Sequence, residues 1–273
     1  MPGDEGVLRT LTFLERLEQS DNLLCLGLDP VASRIPSELG QGIEAVERFL
    51  TTLLEQAEAR GLLPSTLKPN LAYFEQYGWR GWQLLEKLVA RWSSSCLMVL
   101  DCKRGDIGRS STAYAKAMYE TLGGDAVTLH PWMGPESIAP FAEYFPEKGG
   151  YLLLRTSNPG SVLLQNEGWP RLFDSIDEWD TTGCLGYVVG ATRPEELEKV
   201  LTDDPVGRPL LIPGVGAQGG KSEDMMALIR GSAHPRRHRI NVSSDILYAH
   251  EKGGAFPEAS LKALESYQAE LTL

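Results

Sequence analysis

Eight short apolar runs, separated by stretches of helical character, constrain the fold of this chain more than any other feature. The runs are LLCLGL (23–28), STLKP (65–69), CLMVL (96–100), AVTLH (126–130), YLLL (151–154), CLGYVVG (184–190), PLLIP (209–213) and RINVS (239–243). Between them lie amphipathic or helix-favouring segments such as IEAVERFLTTLLEQAEARG, RGWQLLEKLVARW, STAYAKAMYETLGG, RPEELEKVL and SEDMMALIRG. A period that switches repeatedly from short apolar run to helical spacing signals alternating strands and helices. Such alternation implies a parallel sheet, and eight units in about 250 residues fit one α/β domain, a (β/α)8 TIM barrel. An open doubly wound sheet with extra strands is the structural alternative. The stretch VLRTLTFLERLEQS reads as an extra N-terminal helix. No linker or composition break divides residues 1–273, so a single domain is expected.

Composition removes several classes of function. Lys and Arg number 26 against 37 Asp and Glu, a net charge of −11. Surfaces that bind nucleic acid or anionic membranes are usually basic. No apolar run approaches the roughly 20 residues of a membrane-spanning helix. The start, MPGDEG, lacks the basic and apolar regions of a signal peptide, so a cytoplasmic location is expected. Cys25, Cys96, Cys102 and Cys184 are widely spaced, with no CxxC pair, and should be reduced and mostly buried. The four histidines show no metal-ligand spacing, so nothing proposes a metal site.

Polar residues fall at one end of the strands. Asp29 ends the first, Lys68 the second, Asp101 and Lys103 the third and His130 the fourth. The turn TSNPG with Ser157 follows the fifth, and Pro213 ends the seventh. In a barrel all of these lie at the C-terminal mouth, where active sites are built. Each also has an ordinary reading. Asp29-Pro30 and SNPG are turn sequences, and Lys68 can snorkel. His130 reads as a satisfied, half-buried structural residue, and HPRRHR (234–239) as a solvated loop. Gly214, Gly216 and Gly219 match a GxGxxG dinucleotide pattern, but strand eight runs into Ser243 and Ser244 rather than an acid. A glycine-rich phosphate cradle with Gln218 is the better reading.

The densest charge is in LDCKRGDIG, residues 100–108. With period two, Asp101 and Lys103 share one side of the strand, and Lys68 comes from its neighbour. Asp106, after the turn at Gly105, can extend the alternation, while Arg104 reads as solvated. An alternating Lys–Asp–Lys–Asp array keeps its lysines protonated and its aspartates ionised. It suits a reaction that builds negative charge on carbon and then needs a proton.

LDCKRGDIG is similar to the DxKxxD signature of the orotidine 5′-phosphate decarboxylase family, in its longer bacterial type 2 subgroup. LGLDP and LKPNLAYFE before it, and TLHPWMG, RTSNPGS and IPGVGAQGG after it, fall in that family's order, and the resemblance runs from about Leu23 to Tyr248. It implies decarboxylation of orotidine 5′-monophosphate to UMP without metal or organic cofactor. It implies a homodimer in which Asp106 crosses the interface to join Lys68, Asp101 and Lys103, with Lys103 protonating C6 of the pyrimidine. By the same resemblance Asp29 and Lys68 hold ribose hydroxyls, Ser157 contacts the pyrimidine edge and Pro213 walls the site. Gln218 and Gly219 bind phosphate, and Ser110 is a further binding candidate. One position departs: Ser244 stands where the family carries an arginine that grips phosphate. Lys221 or backbone N–H groups are the expected replacements, because Arg236, Arg237 and Arg239 precede strand eight and should lie at the opposite end of the barrel. The competing readings are a metal-dependent enediolate enzyme such as a hexulose-phosphate synthase, and a non-enzymatic nucleotide- or phosphate-binding barrel.

Overall fold

Strand β1 (Leu24–Leu28) is buried at all five positions, as a strand must be when helices cover one face and a barrel interior the other. The structure, a computed structural model, describes residues 11–215 and 222–273. Among these residues seven further strands follow: β2 (Thr66–Pro69), β3 (Leu97–Arg104), β4 (Ala126–Leu129), β5 (Gly149–Arg155), β6 (Leu185–Val189), β7 (Leu210–Pro213) and β8 (Arg239–Val242). They pair in chain order, and parallel pairing of β8 with β1 closes the barrel. The (β/α)8 expectation therefore holds, and the open doubly wound sheet is excluded.

The helices are α1 (Phe13–Glu18), α2 (Gly42–Ala59), α3 (Ala72–Glu75), α4 (Trp79–Trp92), α5 (Gly108–Lys116) and α6 (Pro135–Ala142). They continue with α7 (Val162–Trp179), α8 (Pro194–Asp203), α9 (Ser222–Arg230), α10 (Ser244–Leu247) and α11 (Glu258–Glu270). Helix α2 packs through Ile43, Val46, Phe49, Leu50, Leu53, Leu54 and Ala57, the i, i+3, i+4, i+7 stripe of a helix facing a core. Helix α1 is shorter than the expected N-terminal helix, since Leu11 and Thr12 before it are not helical. It starts at a capping box in which Thr12 and Glu15 satisfy each other's backbone N–H. Helix α7 carries Pro170 in its interior and buries only Ile176 fully. All four cysteines are free and buried. Among the described residues no helix is long and apolar enough to cross a membrane.

The floor of the barrel corrects one expectation. HPRRHR is not a solvated loop: His238 and Arg239 are both buried. The Arg239 guanidinium donates to Thr66 Oγ1 on β2 at 2.9 Å, to the carbonyls of Arg236 and His238, and to that of Leu17 in α1 at 2.8 Å. It thus ties β8, β2 and α1 together at the end opposite the polar strand termini. Arg237 pairs with Glu18 and Arg236 with Asp21 at that same end.

His238 gives this floor a pH dependence. Its Nδ1 accepts from Leu210 N–H at 3.2 Å, and its Nε2 lies 3.2 Å from Ser232 Oγ. Burial, followed by the charges of Arg239 and Arg237, pushes the imidazole down from 6.5 to about 3. The unfolded chain binds a proton here that the folded chain refuses. The resulting stability is complete above about pH 6.5 and drains away as pH falls toward 3, by roughly 1.4 kcal/mol per pH unit. Urea unfolding at pH 7 and pH 5 is expected to show a loss of about 2 kcal/mol from this group. A His238→Gln variant should lack that component; an unchanged pH dependence would contradict the assignment.

Candidate active site

The C-terminal ends of β2 and β3 carry charges that the barrel then buries. Lys68 is 4% exposed and Asp101 8%. Lys68 Nζ donates to Asp101 Oδ2 at 2.9 Å, and Lys103 Nζ donates to Asp101 Oδ1 at 2.6 Å. Lys68 is therefore an inward, paired cation, not a snorkelling one. The Lys103 side chain is 49% exposed, so its ammonium group is open to the mouth.

Plain period-two alternation does not bring Asp101 and Lys103 together. β3 and β4 pair Leu100 with Val127 but next pair Arg104 with Leu129, so four steps along β3 match two along β4. The extra length is a bulge, and bulges re-aim side chains. Lys103 sits in it at φ +46°, the one positive φ among the described non-glycine residues. Such a conformation costs about 1–3 kcal/mol and needs support from its surroundings. Thr128 of β4 supplies that support. Its Oγ1 accepts from Lys103 N–H at 2.9 Å and donates to Asp101 Oδ1 at 2.9 Å. Thr128 thus joins the array, although a threonine inside an apolar strand carries no sequence signal for it.

The charges set one another. Burial would raise the Asp101 carboxyl, but Lys68 and Lys103 outweigh it and hold the group well below the usual carboxylate range. Burial would lower Lys68, but Asp101 and then Asp29 outweigh it and hold the ammonium above its ordinary value. The result is a fixed field in which both Asp101 oxygens are occupied by cations.

The remaining candidates take distinct places. Asp29 follows β1; its Oδ1 is buried without a hydrogen-bond partner, and its charge acts on Lys68. Asp106 follows the β3 turn, half-buried, its Oδ1 accepting from Ile107 N–H at 2.8 Å. Among the described residues it has no ion-pair partner, so within one chain it does not join Lys68 or Lys103. Gly105 before it is packed so tightly that a Cβ would lie 2.6 Å from the His130 carbonyl oxygen. Ser110 is exposed in the first turn of α5. Ser157 is half-buried after β5, pressed against Gly190. Pro213 closes β7, its carbonyl accepting from Ala191 N–H at 2.8 Å. Ser244 is half-buried at the start of α10. Gln218, Gly219 and Lys221 lie outside the described residues.

Two ordinary readings fail at this mouth. Arg104 is not solvated: it pairs with Glu75, donates to the Cys102 carbonyl at 3.1 Å and lies over the Tyr114 ring. His130 is exposed rather than half-buried, its Nδ1 accepting from Trp132 N–H at 3.3 Å.

Comparison with known proteins places this geometry. Residues 22–256 match the family model described as orotidine 5′-phosphate decarboxylase / HUMPS family. An orotidine 5′-phosphate decarboxylase from Delftia acidovorans is 40% identical over 94% of this chain and 96% of its own length. The solved OMP decarboxylase of Leishmania donovani superposes with TM-score 0.76 at 30% identity, covering 96% of this chain and 100% of that one. The solved UMP synthase of the same organism gives TM-score 0.79 at 31% identity; the match covers 96% of this chain and 57% of that longer protein. A match this long, carried by a barrel whose mouth holds the lysine–aspartate array, leaves one assignment: the chain belongs to the orotidine 5′-phosphate decarboxylase / HUMPS family.

Proposed function

We propose that this chain is a single-domain, cytoplasmic enzyme that decarboxylates orotidine 5′-monophosphate to UMP and CO2 without a cofactor. The observation that carries the reading is the Lys68–Asp101–Lys103 array, two cations fixed on the two oxygens of one buried carboxylate. Loss of CO2 leaves an electron pair on C6 of the pyrimidine. A cation already in place beside C6 stabilises that charge as it develops, with no reorganisation at the moment of reaction. The half-exposed Lys103 ammonium then transfers its proton to C6. Asp101 faces the substrate carboxylate, and repulsion between the two is relieved as CO2 departs uncharged. Asp29 and Lys68 hold the ribose, Ser157 the pyrimidine edge, Pro213 forms a wall, and Gln218 with Gly219 binds phosphate. Ser110 and Ser244 complete the set of binding residues. Loss of orotidine 5′-monophosphate with one CO2 released per UMP formed is the test.

The fourth member, Asp106, enters from a second copy of the chain. Two observations support this. Asp106 reaches no cation of its own chain among the described residues, and the mouth around it exposes Ile107, Tyr114, Trp132, Met133, Leu163 and Leu164, an apolar rim of the kind that oligomers cover. Mixing a Lys103→Ala protein with an Asp106→Ala protein tests the crossing. Each mixed dimer then holds one site with both residues intact, so about a quarter of wild-type activity is expected on full subunit exchange. No recovery would place Asp106 in its own subunit's site, and full activity of the Asp106→Ala protein by itself would place it outside any site.

The family description also covers HUMPS members, which keeps a metal-dependent enediolate reaction as the second reading. Occupation of both Asp101 oxygens by ammonium groups favours the first, since a divalent cation would have to displace one of them.

A further inference from the structure

We infer that Tyr248 is a positioning residue for Asp29: its hydroxyl closes the β1 turn and so aims the unpartnered Asp29 carboxylate into the mouth. The inference rests on the decarboxylase reading. Residues 29–31 are Asp-Pro-Val, and Pro30 has no N–H to close a turn. The hydroxyl of Tyr248 takes over that role from outside the turn. It accepts from Val31 N–H at 2.6 Å and donates to the Asp29 carbonyl at 2.9 Å. One phenol thus satisfies both backbone groups that flank the proline.

The clamp is rigid. Tyr248 is 1% exposed, with its ring stacked on Phe49 at 5.8 Å and the Arg34 guanidinium carbon 3.8 Å from its centroid. Arg34 is in turn fixed by Nε and Nη2 bonds to Glu251. The phenol is pushed up to about 12, by burial first, so it remains a donor at neutral pH.

What it holds is a group awaiting a ligand. Asp29 Oδ1 is buried and has no partner, and Asn241 Oδ1 and Ser243 Oγ are likewise buried without one. The last two flank the same strand: a Cβ on Gly27, one inward step below Asp29, would lie 3.1 Å from each. A buried carboxylate oxygen without a partner is costly unless something donates to it. The carboxylate and amide oxygens of this corner accept from O–H donors, and the Ser243 hydroxyl can donate or accept. Tyr248 itself touches no ligand; it acts through where Asp29 points.

Tyr248→Phe tests this, because it keeps the ring stack and the guanidinium contact and removes only the oxygen. KM for orotidine 5′-monophosphate is expected to rise roughly five- to tenfold, with kcat within about twofold of wild type. In an Asp29→Ala background the same change should leave KM unaltered, because the carboxylate it positions is gone. Turnover by the wild type with unchanged KM in Tyr248→Phe overturns the inference alone. So does an equal KM effect in the Asp29→Ala background, which marks a general loosening of the fold. No turnover by the wild type overturns the decarboxylase reading, and the inference with it.

Discussion

Lys103→Ala is expected to lower kcat for orotidine 5′-monophosphate decarboxylation by about a thousandfold or more, with little change in melting temperature. Two losses combine. A positioned proton donor contributes roughly 10²–10⁴-fold, and a preorganised group facing developing charge about 10²–10³-fold. The fold should tolerate the change because the side chain is half exposed and Asp101 keeps its bonds to Lys68 and Thr128. Steady-state kinetics beside a thermal melt separates the two effects. Activity within tenfold of wild type would remove Lys103 from the proposed chemistry, and a collapse in melting temperature would make its role structural.

Asp101→Asn is expected to act on both activity and stability. Lys68 is buried with Asp101 as its hydrogen-bonded partner. Removing one member of a buried pair leaves an uncompensated charge and costs about 3–5 kcal/mol, or roughly 6–20 °C in melting temperature for a chain of this size. Activity should fall at least a hundredfold, since Lys103 then loses the bond that aims it. A paired variant, Lys68→Met with Asp101→Leu, should regain much of the lost stability, because apolar side chains can replace a buried ion pair without net cost. It should remain inactive. Stability restored without activity is the signature of charges held for chemistry. A double variant as unstable as Asp101→Asn would show instead that the pair holds the barrel together.

The barrel was legible because its strands announce themselves as short apolar runs ending in polar residues. That pattern needs only the rule that a strand buried on both faces cannot carry charge until it leaves the core. Asp29, Lys68, Asp101 and Lys103 stood out for the same reason. What brings two of them together did not. The β3 bulge depends on pairing with β4, and no local pattern announces two extra residues or the left-handed backbone at Lys103. Thr128 was invisible because threonine is ordinary in strands, and its role exists only once that bulge presents Lys103 N–H to it. Arg239 misled for the opposite reason. A basic run reads as solvent-facing, yet four acceptors inside the barrel floor take this guanidinium. Helix α7 runs through Gly168 and Pro170, residues that locally read as breakers.

Decarboxylation of orotidine 5′-monophosphate by the purified wild-type chain, followed by absorbance in the presence and absence of EDTA, tests most directly whether the charged array does this chemistry unaided. Equal rates in both conditions, with UMP and CO2 formed one to one, are the predicted result. No loss of orotidine 5′-monophosphate, or a loss that EDTA abolishes and a divalent cation restores, would contradict it.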